Sequence, residues 1–174
     1  MKWLRKIDIK IFYIINNKLK SKMFDNFFPI ITYLGSAFFT LMLSLILLFV
    51  GNEEVKKAGF LCIVTLALCF IIIQTLKRYF GRLRPFKALK GINYFETNLK
   101  DYSFPSGHTT AISAIGFSLL IYFPQFWYIY FTLIILVGIS RVYIGVHYPS
   151  DIVIGCFVGF ICTSINYLIM ISIW

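Results

Sequence analysis

Long apolar runs separated by short polar connectors are the main pattern along the chain. A helix needs about 20 apolar residues to cross a bilayer core. Lipid offers no partners for backbone N–H and C=O groups, so spanning runs must be helical. Five spans are predicted, at about residues 27–50, 58–76, 106–123, 126–139 and 151–174. For the two shorter runs, the alternative is a re-entrant helix or a helix buried in protein.

The first 22 residues differ from the rest because they are basic and amphipathic. Their apolar part is too short to cross a membrane, and the pattern is typical of a helix that lies in the membrane interface. The sequence therefore predicts an all-α integral membrane bundle of about five transmembrane helices. We expect an N-terminal interfacial amphipathic helix before them, and a single domain over residues 1–174.

Composition agrees with a membrane protein, since 59% of the 174 residues are hydrophobic, and it adds a net charge of +10. Such a charge suits nucleic acid, anionic lipid headgroups or a phosphorylated substrate as partner. Nucleic acid is not expected, because neither a soluble basic face nor a binding motif is present. The four cysteines lie inside apolar runs, and we interpret them as small buried hydrophobic residues.

Three polar segments are predicted to meet at one face of the membrane. Counting alternating spans brings together residues 77–104, residues 106–108 and residues 140–151. Both histidines of the chain, His108 and His147, belong to this set. The convergence makes these segments the candidate site.

The second segment reads Pro105-Ser106-Gly107-His108 and opens a predicted helix. Free backbone N–H groups and the helix dipole make such an end attractive to anions. Ser106 can add a hydroxyl donor, and Gly107 allows a ligand to approach closely. The alternative is simple helix capping by Ser106, with His108 in the first turn.

The third segment places His147 four residues before Asp151. The pair shares one helix face if the last helix begins by His147, and it brackets a turn if that helix begins after Pro149. In either case the carboxylate reaches the imidazole, fixes its tautomer and raises the basicity of the other ring nitrogen. A nucleophilic or basic histidine needs this preparation. The alternative is a capping Asp beside an interfacial His.

Three cations, Lys77, Arg84 and Arg141, adjoin the apolar runs at the same face. A charge at bilayer depth costs about 2.5–3.5 kcal/mol on the insertion scale, which snorkelling partly relieves. The three also repel one another unless an anion lies between them. A phosphoryl group would suit them, because arginine binds its oxygens in bidentate fashion. Binding of lipid headgroups is the alternative.

Together the three segments resemble the complete signature of the type 2 phosphatidic acid phosphatase superfamily. The matching pattern is Lys77-(six residues)-Arg84-Pro85, Pro105-Ser106-Gly107-His108 and Ser140-Arg141-(five residues)-His147-(three residues)-Asp151. No signature position departs from the family pattern. The motifs lie within residues 77–151, and the helix layout is similar to that of the small bacterial members.

The resemblance implies a role for each matching position. His147 would attack phosphorus and form a phosphohistidine, Asp151 would orient it, and His108 would protonate the leaving oxygen. The phosphoryl oxygens would be held by Lys77, Arg84, Ser106, Gly107 and Arg141. The resemblance implies no metal and no cofactor, and the sequence has no acidic cluster suited to Mg²⁺.

The function expected from this resemblance is hydrolysis of a lipid phosphate or diphosphate at the membrane surface. Undecaprenyl diphosphate is the first expected substrate, and phosphatidylglycerophosphate, phosphatidate and lipid A phosphate are alternatives. A non-catalytic lipid-phosphate binding or transport protein is the rival of another class. A vanadate-dependent haloperoxidase shares the constellation, but the apolar spans argue against that soluble class.

Two further predictions concern the sidedness of the site and the assembly of the protein. The candidate-site face carries fifteen of the seventeen Lys and Arg residues, which by the positive-inside rule favours the cytoplasm. The family resemblance favours an extracytoplasmic active site in the cell membrane, and we expect that orientation. Gly155 and Gly159 form a G-x-x-x-G pattern that indicates either a homodimer contact or close packing inside the bundle.

Overall fold

The structure is a computed structural model that describes residues 2–95 and 99–173, without the side chains of residues 2, 4 and 173. Within these residues every regular element is helical. The long helices are α1 (Lys2–Tyr13), α2 (Lys22–Tyr33), α3 (Ala37–Val50), α4 (Glu53–Phe80), α6 (Gly107–Tyr122), α7 (Trp127–Tyr143) and α8 (Pro149–Ile173). The short helix α5 is Pro85–Ala88, and single turns lie at Ile14–Lys18 and Pro124–Phe126. Trp174, expected at the end of the last span, lies outside the described residues.

The first predicted span is a bent pair of helices rather than one straight helix. α2 and α3 meet at an angle of 51°, and Ser36 caps α3 by accepting a hydrogen bond from the Phe39 backbone N–H. Gly35 lies in the break against the start of α6, where an added Cβ would stand 2.8 Å from the His108 carbonyl oxygen. The break therefore seats the first span against the helix that carries His108.

α6 is the central helix of the bundle. It packs against α3, α4, α7 and α8, and eight of its sixteen residues are buried. Small side chains dominate its contact with α8, because an added Cβ on Gly155 or Gly159 would lie within 2.8 Å of α6 or its N-cap. The two glycines are thus used for packing inside the bundle. This packing agrees with one of the two interpretations of the motif, and a homodimer contact, the other interpretation, stays a prediction.

The described residues contain three helical segments that are long and apolar enough to span a membrane, namely α4, α7 together with the Pro124–Phe126 turn, and α8, and the bent pair α2–α3 makes a fourth. α6 is shorter, with 16 residues, or about 24 Å at 1.5 Å per residue against a core of about 30 Å. It nevertheless runs from the site end to the opposite end, where Tyr122 adjoins Lys57 and Tyr167. The integral membrane bundle is confirmed, and α6 as a fifth crossing stays a prediction.

The N-terminal segment packs across the site end of the bundle. Its helix stops at Tyr13, earlier than the predicted residue 22, and a π-helical turn follows. Phe12 is fully buried, and its ring centroid lies 5.9 Å from that of Tyr148. Asn16 is also buried and donates to the carbonyl oxygens of Asn93 and Tyr143, each at 2.7 Å. The segment is thereby tied to the loops around the candidate site.

Three of the four cysteines, Cys62, Cys69 and Cys162, are buried among helices, and Cys156 is half-buried. All four thiols are free. Their placement fits the interpretation as small hydrophobic side chains.

Candidate active site

Helix ends bring the three predicted segments together. Lys77 lies in the last turn of α4, Arg84 precedes α5, and Arg141 lies in the last turn of α7. Ser106 caps α6, so that His108 falls in the first turn of that helix. His147 lies between α7 and α8, and Asp151 lies in the first turn of α8. The side chains of Lys77, Arg84, Ser106, Arg141, His147 and Asp151 are all buried.

Each ring nitrogen of His147 contacts a charged side chain. Its Nδ1 lies 3.4 Å from Asp151 Oδ2, and its Nε2 lies 3.2 Å from Arg84 Nη1. A guanidinium group has only donors, so Nε2 is the acceptor in this contact and Nδ1 carries the proton that faces Asp151. α8 begins at Pro149, so the pair brackets a turn, which was one of the two predicted arrangements. The lone pair of Nε2 therefore points to the cationic side of the site.

The charge state of His147 follows from its surroundings. Burial, together with the neighbouring charges of Arg84 and Arg141, holds the pKa of His147 well below its usual value of 6.5. An imidazole with a lowered pKa is neutral at pH 7 and keeps its lone pair. That is the form required of a nucleophile.

The three cations are each fixed by protein groups. Arg84 donates to the Val146 carbonyl oxygen at 3.0 Å and to Asp101 Oδ1 at 2.7 Å. Arg141 Nη1 donates to Thr32 Oγ1 at 2.9 Å, which joins α7 to α2. Lys77 forms an ion pair with the Asp101 carboxylate. The cations are therefore preorganised around one small volume at the end of the bundle.

The start of α6 offers donors toward the same volume. Ser106 Oγ accepts hydrogen bonds from the Thr109 backbone N–H and hydroxyl, which leaves its own proton to donate elsewhere. Gly107 has open space where a Cβ would be, with no heavy atom within 4 Å. Capping by Ser106 is thus present, and it is compatible with an anion site at the same helix end.

His108 lies near the three cations and the other histidine. It lines a groove together with Lys77 and Asp101, and it interacts electrostatically with Arg141 and with His147. Gly35 contacts its backbone, so the bend of the first span holds this residue in position. The structure therefore brings together all eight residues that were predicted for the site.

Asp101 is a site residue that the sequence analysis missed. Its carboxylate contacts both Lys77 and Arg84. Partial burial alone would raise the pKa of Asp101, but the hydrogen bonds from Lys77 and Arg84 lower it to about 2. One signal was available, because Asp101 is one of only seven acidic residues and ends a strongly basic stretch.

Arg82 and Asp8 are two further residues that the motifs did not indicate. Arg82 Nη1 donates to Asp151 Oδ1 at 2.6 Å, and Arg82 Nη2 donates to Asp8 Oδ2 at 2.5 Å. Asp8 comes from α1, which no motif touches. The side chain of Arg82 thus forms ion pairs with two carboxylates inside the protein.

A groove of about 610 Å³ leads from the polar residues into the apolar part of the bundle. Lys77, Asp101, Gly107 and His108 line its polar end. Its walls come from α3, α4 and α6 and include Leu41, Ile63, Leu66, Ala67, Phe70, Ile73 and Ala111. Leu41 and Phe70 at its rim are exposed on the outer surface of the bundle. The groove therefore connects the candidate site with the lipid-facing side of the helices.

Several known proteins with related sequences carry phosphatase names, and one of Bacillus licheniformis is named as a bacitracin transport permease. The lipid A 4'-phosphatase of Porphyromonas gingivalis is 31% identical over 96% of this chain and 74% of its own length. The undecaprenyl-diphosphatase of Sulfolobus acidocaldarius is 31% identical over 62% of this chain and 52% of its own. The chain thus spans about half the length of the latter relative.

Solved structures share the helix arrangement. The crystal structure of LpxE of Aquifex aeolicus has a TM-score of 0.80 and 31% identity, over 92% of this chain and 94% of that one. A transmembrane PAP2-type phosphatidylglycerolphosphate phosphatase of Bacillus subtilis has a TM-score of 0.82 and 23% identity, over 100% and 89%. The second likeness concerns the fold alone.

The family model described as the PAP2 superfamily matches residues 58–172, which include all three signature segments. This stretch contains most of α4, the start of α6 with His108, the connector with His147 and most of α8. With the match covering more than half of the sequence, this multi-pass membrane protein belongs to the PAP2 superfamily.

Proposed function

We propose that this chain is an integral membrane phosphatase that removes the terminal phosphate of a lipid phosphate or diphosphate through a phosphohistidine on His147. The observation that carries the proposal is the placement of the buried His147 ring, with Nδ1 on Asp151 and Nε2 directed toward Arg84. Buried cations supply the electrostatic stabilisation that phosphoryl transfer requires.

The first step forms a bond between His147 Nε2 and phosphorus. The lone pair of Nε2 attacks as the bond to the leaving oxygen breaks, and that oxygen takes a proton from His108. Lys77, Arg84 and Arg141 hold the equatorial oxygens, with donors from Ser106 and Gly107. The negative charge of a bound phosphoryl group favours the protonated form of His108, so protonation of His108 is coupled to substrate binding.

The second step returns the enzyme to its starting state. Water attacks the phosphorus of the phosphohistidine and gives its proton to His108, and the N–P bond breaks with its electron pair returning to Nε2. Inorganic phosphate leaves the site. For a diphosphate substrate, the group released in the first step is the lipid monophosphate.

The groove beside His108 supports a lipid as the substrate. From Lys77 to Ile63 it follows α4 over fourteen helical steps, or about 21 Å. An acyl or prenyl chain in this groove would place its phosphate at the cationic end. The open rim at Leu41 and Phe70 would let such a chain enter from the bilayer.

Undecaprenyl diphosphate is the substrate we propose first, and relatives that bear this activity in their names support it. Phosphatidylglycerophosphate, phosphatidate and lipid A 1-phosphate are the alternatives, since relatives with similar identity carry phosphatidylglycerophosphatase and lipid A phosphatase names. We also propose that the site faces the extracytoplasmic side, as the family resemblance implies.

The test is phosphate release from these four lipids by the purified protein in detergent, with and without EDTA. We expect turnover that EDTA does not abolish. His147→Ala should lose several powers of ten in kcat, as removal of a nucleophile does. A brief incubation with labelled substrate should leave an alkali-stable, acid-labile phosphoryl group on the wild type and none on His147→Ala.

Lys87→Ala is the matched control for Arg84→Ala. Lys87 is exposed and donates to the Leu99 carbonyl oxygen, so its loss should leave kcat/KM unchanged, whereas loss of Arg84 should lower it at least a hundredfold. Equal phosphate release by wild type and His147→Ala would overturn the phosphatase proposal and leave a lipid-phosphate binding protein.

A further inference from the structure

The N-terminal helix contributes a carboxylate to the catalytic end of the bundle. Asp8 is buried. Its Oδ1 accepts a hydrogen bond from the Ser150 backbone N–H at 2.9 Å, and its Oδ2 accepts one from the Ser150 hydroxyl at 2.7 Å. Ser150 is the second residue of α8, where backbone N–H groups lack partners within the helix. Asp8 therefore caps α8 from a distant part of the chain.

Arg82 connects this cap to the catalytic carboxylate. One of its terminal nitrogens donates to Asp8 at 2.5 Å, and the other donates to Asp151 at 2.6 Å. Its guanidinium carbon lies 3.8 Å from the ring centroid of Tyr148, within the range of a cation–π interaction. The planar guanidinium group is thus fixed at both ends and on one face.

Asp151 divides its two oxygens between two tasks. Oδ1 faces Arg82, while Oδ2 accepts from the Tyr148 backbone N–H at 2.9 Å and faces His147 Nδ1. The carboxylate is fully buried, and a buried charge is stable only when it is paired and hydrogen-bonded. Without Arg82, Asp151 would lose its cationic partner and the restraint on its rotation.

We propose that Asp8 and Arg82 are positioning residues, which hold Asp151 so that Oδ2 fixes the tautomer and orientation of His147. The inference rests on the proposed role of His147 as nucleophile. It makes α1 part of the catalytic machinery in addition to its place at the membrane interface. The relay runs from Asp8 through Arg82 to Asp151, and only its last member belongs to the family signature.

The kinetic test compares Asp8→Asn and Arg82→Lys with the wild type. Asparagine keeps the shape of Asp8 but turns an amide or a neutral oxygen toward Arg82, and lysine keeps the charge of Arg82 but cannot bridge two carboxylates. Each change should lower kcat about tenfold or more, because the loss of one charge-assisted hydrogen bond has an effect of this size. KM should stay within about twofold of the wild-type value. The double variant should be no slower than the slower single variant, because both act through the same contact.

Asp25→Asn is the matched control. Asp25 is an acidic residue at the same end of the bundle, where it pairs with Lys20 and accepts from the Tyr143 hydroxyl. Its loss should leave kcat unchanged. If Asp8→Asn keeps the wild-type kcat while remaining folded, or if the effects of the two changes multiply, the relay does not exist.

A spectroscopic test separates this proposal from the phosphatase proposal. In His108→Gln the only remaining histidine is His147, so its ¹⁵N ring resonances are assigned without ambiguity. We expect the Nδ1–H tautomer in His108→Gln and in its Asp25→Asn derivative, and a mixture of tautomers in its Asp8→Asn derivative. An unchanged tautomer in the last variant would overturn the relay whether or not any lipid is hydrolysed.

Discussion

Arg84 Nη2 donates a hydrogen bond of 2.7 Å to Asp101 Oδ1, so a carboxylate of the protein contacts one of the cations proposed to bind phosphate. Lys77 contacts the other oxygen of the same carboxylate. A phosphoryl group needs these donors, and the carboxylate competes with it for them. Asp101 is half-exposed, so it can turn away toward solvent when an anion binds.

Replacement of Asp101 should therefore strengthen anion binding. We expect Asp101→Asn to lower the inhibition constant of inorganic phosphate by about threefold to tenfold, a modest factor because the pair is partly exposed. The inhibition constant is measured from competitive inhibition of lipid hydrolysis by inorganic phosphate. Glu53→Asn is the control, since Glu53 lies at the opposite end beside Lys57. An unchanged or raised constant in Asp101→Asn would contradict the competition.

The protonation of His147 gives a pH prediction. Because burial and nearby cations lower its pKa, the ring stays neutral as the pH falls through 6.5 and takes up a proton only in more acidic solution. In His108→Gln, a ¹⁵N titration in detergent should show a neutral imidazole at pH 6. A midpoint at or above 6.5 would mean that the ring is not buried among cations.

The groove predicts a selective effect on substrates with long tails. Ala67→Trp would fill part of it, and loss of contact with about two methylene groups corresponds to about 1.6 kcal/mol. KM for a long-chain lipid phosphate should rise about tenfold, and activity on a tail-free phosphate ester should not change. Val64→Trp is the control, because Val64 is exposed on the same helix outside the groove. Equal effects of the two changes would place the lipid tail elsewhere.

Sidedness is tested by labelling cysteines at the two ends of the bundle. Lys90 is exposed at the site end, and Lys57 is exposed at the opposite end. With the site outside the cytoplasm, a membrane-impermeant maleimide should label Lys90→Cys in intact cells and leave Lys57→Cys unlabelled. The wild type shows how much label its four native cysteines take up. Labelling of Lys57→Cys alone would reverse the orientation and restore agreement with the positive-inside rule.

The helices and the motif residues could be predicted because both depend on local sequence. Apolar runs of sufficient length have to form helices in lipid, and alternating spans bring His108, His147 and Arg141 to one end without any knowledge of packing. Even so, run length did not reveal the bend at Gly35. That bend depends on the close approach of Gly35 to α6, a contact between residues far apart in the chain.

The sequence by itself determined the helical membrane class, the two histidines and the cations around them, because these follow from hydropathy and from motif spacing. Only the tertiary structure decided which charges pair. Asp8 meets Arg82 across 74 positions and Ser150 across 142, and Asp101 meets Lys77 across 24. Such contacts form where helix ends come together in space. Neither hydropathy periodicity nor motif spacing predicts which ends meet.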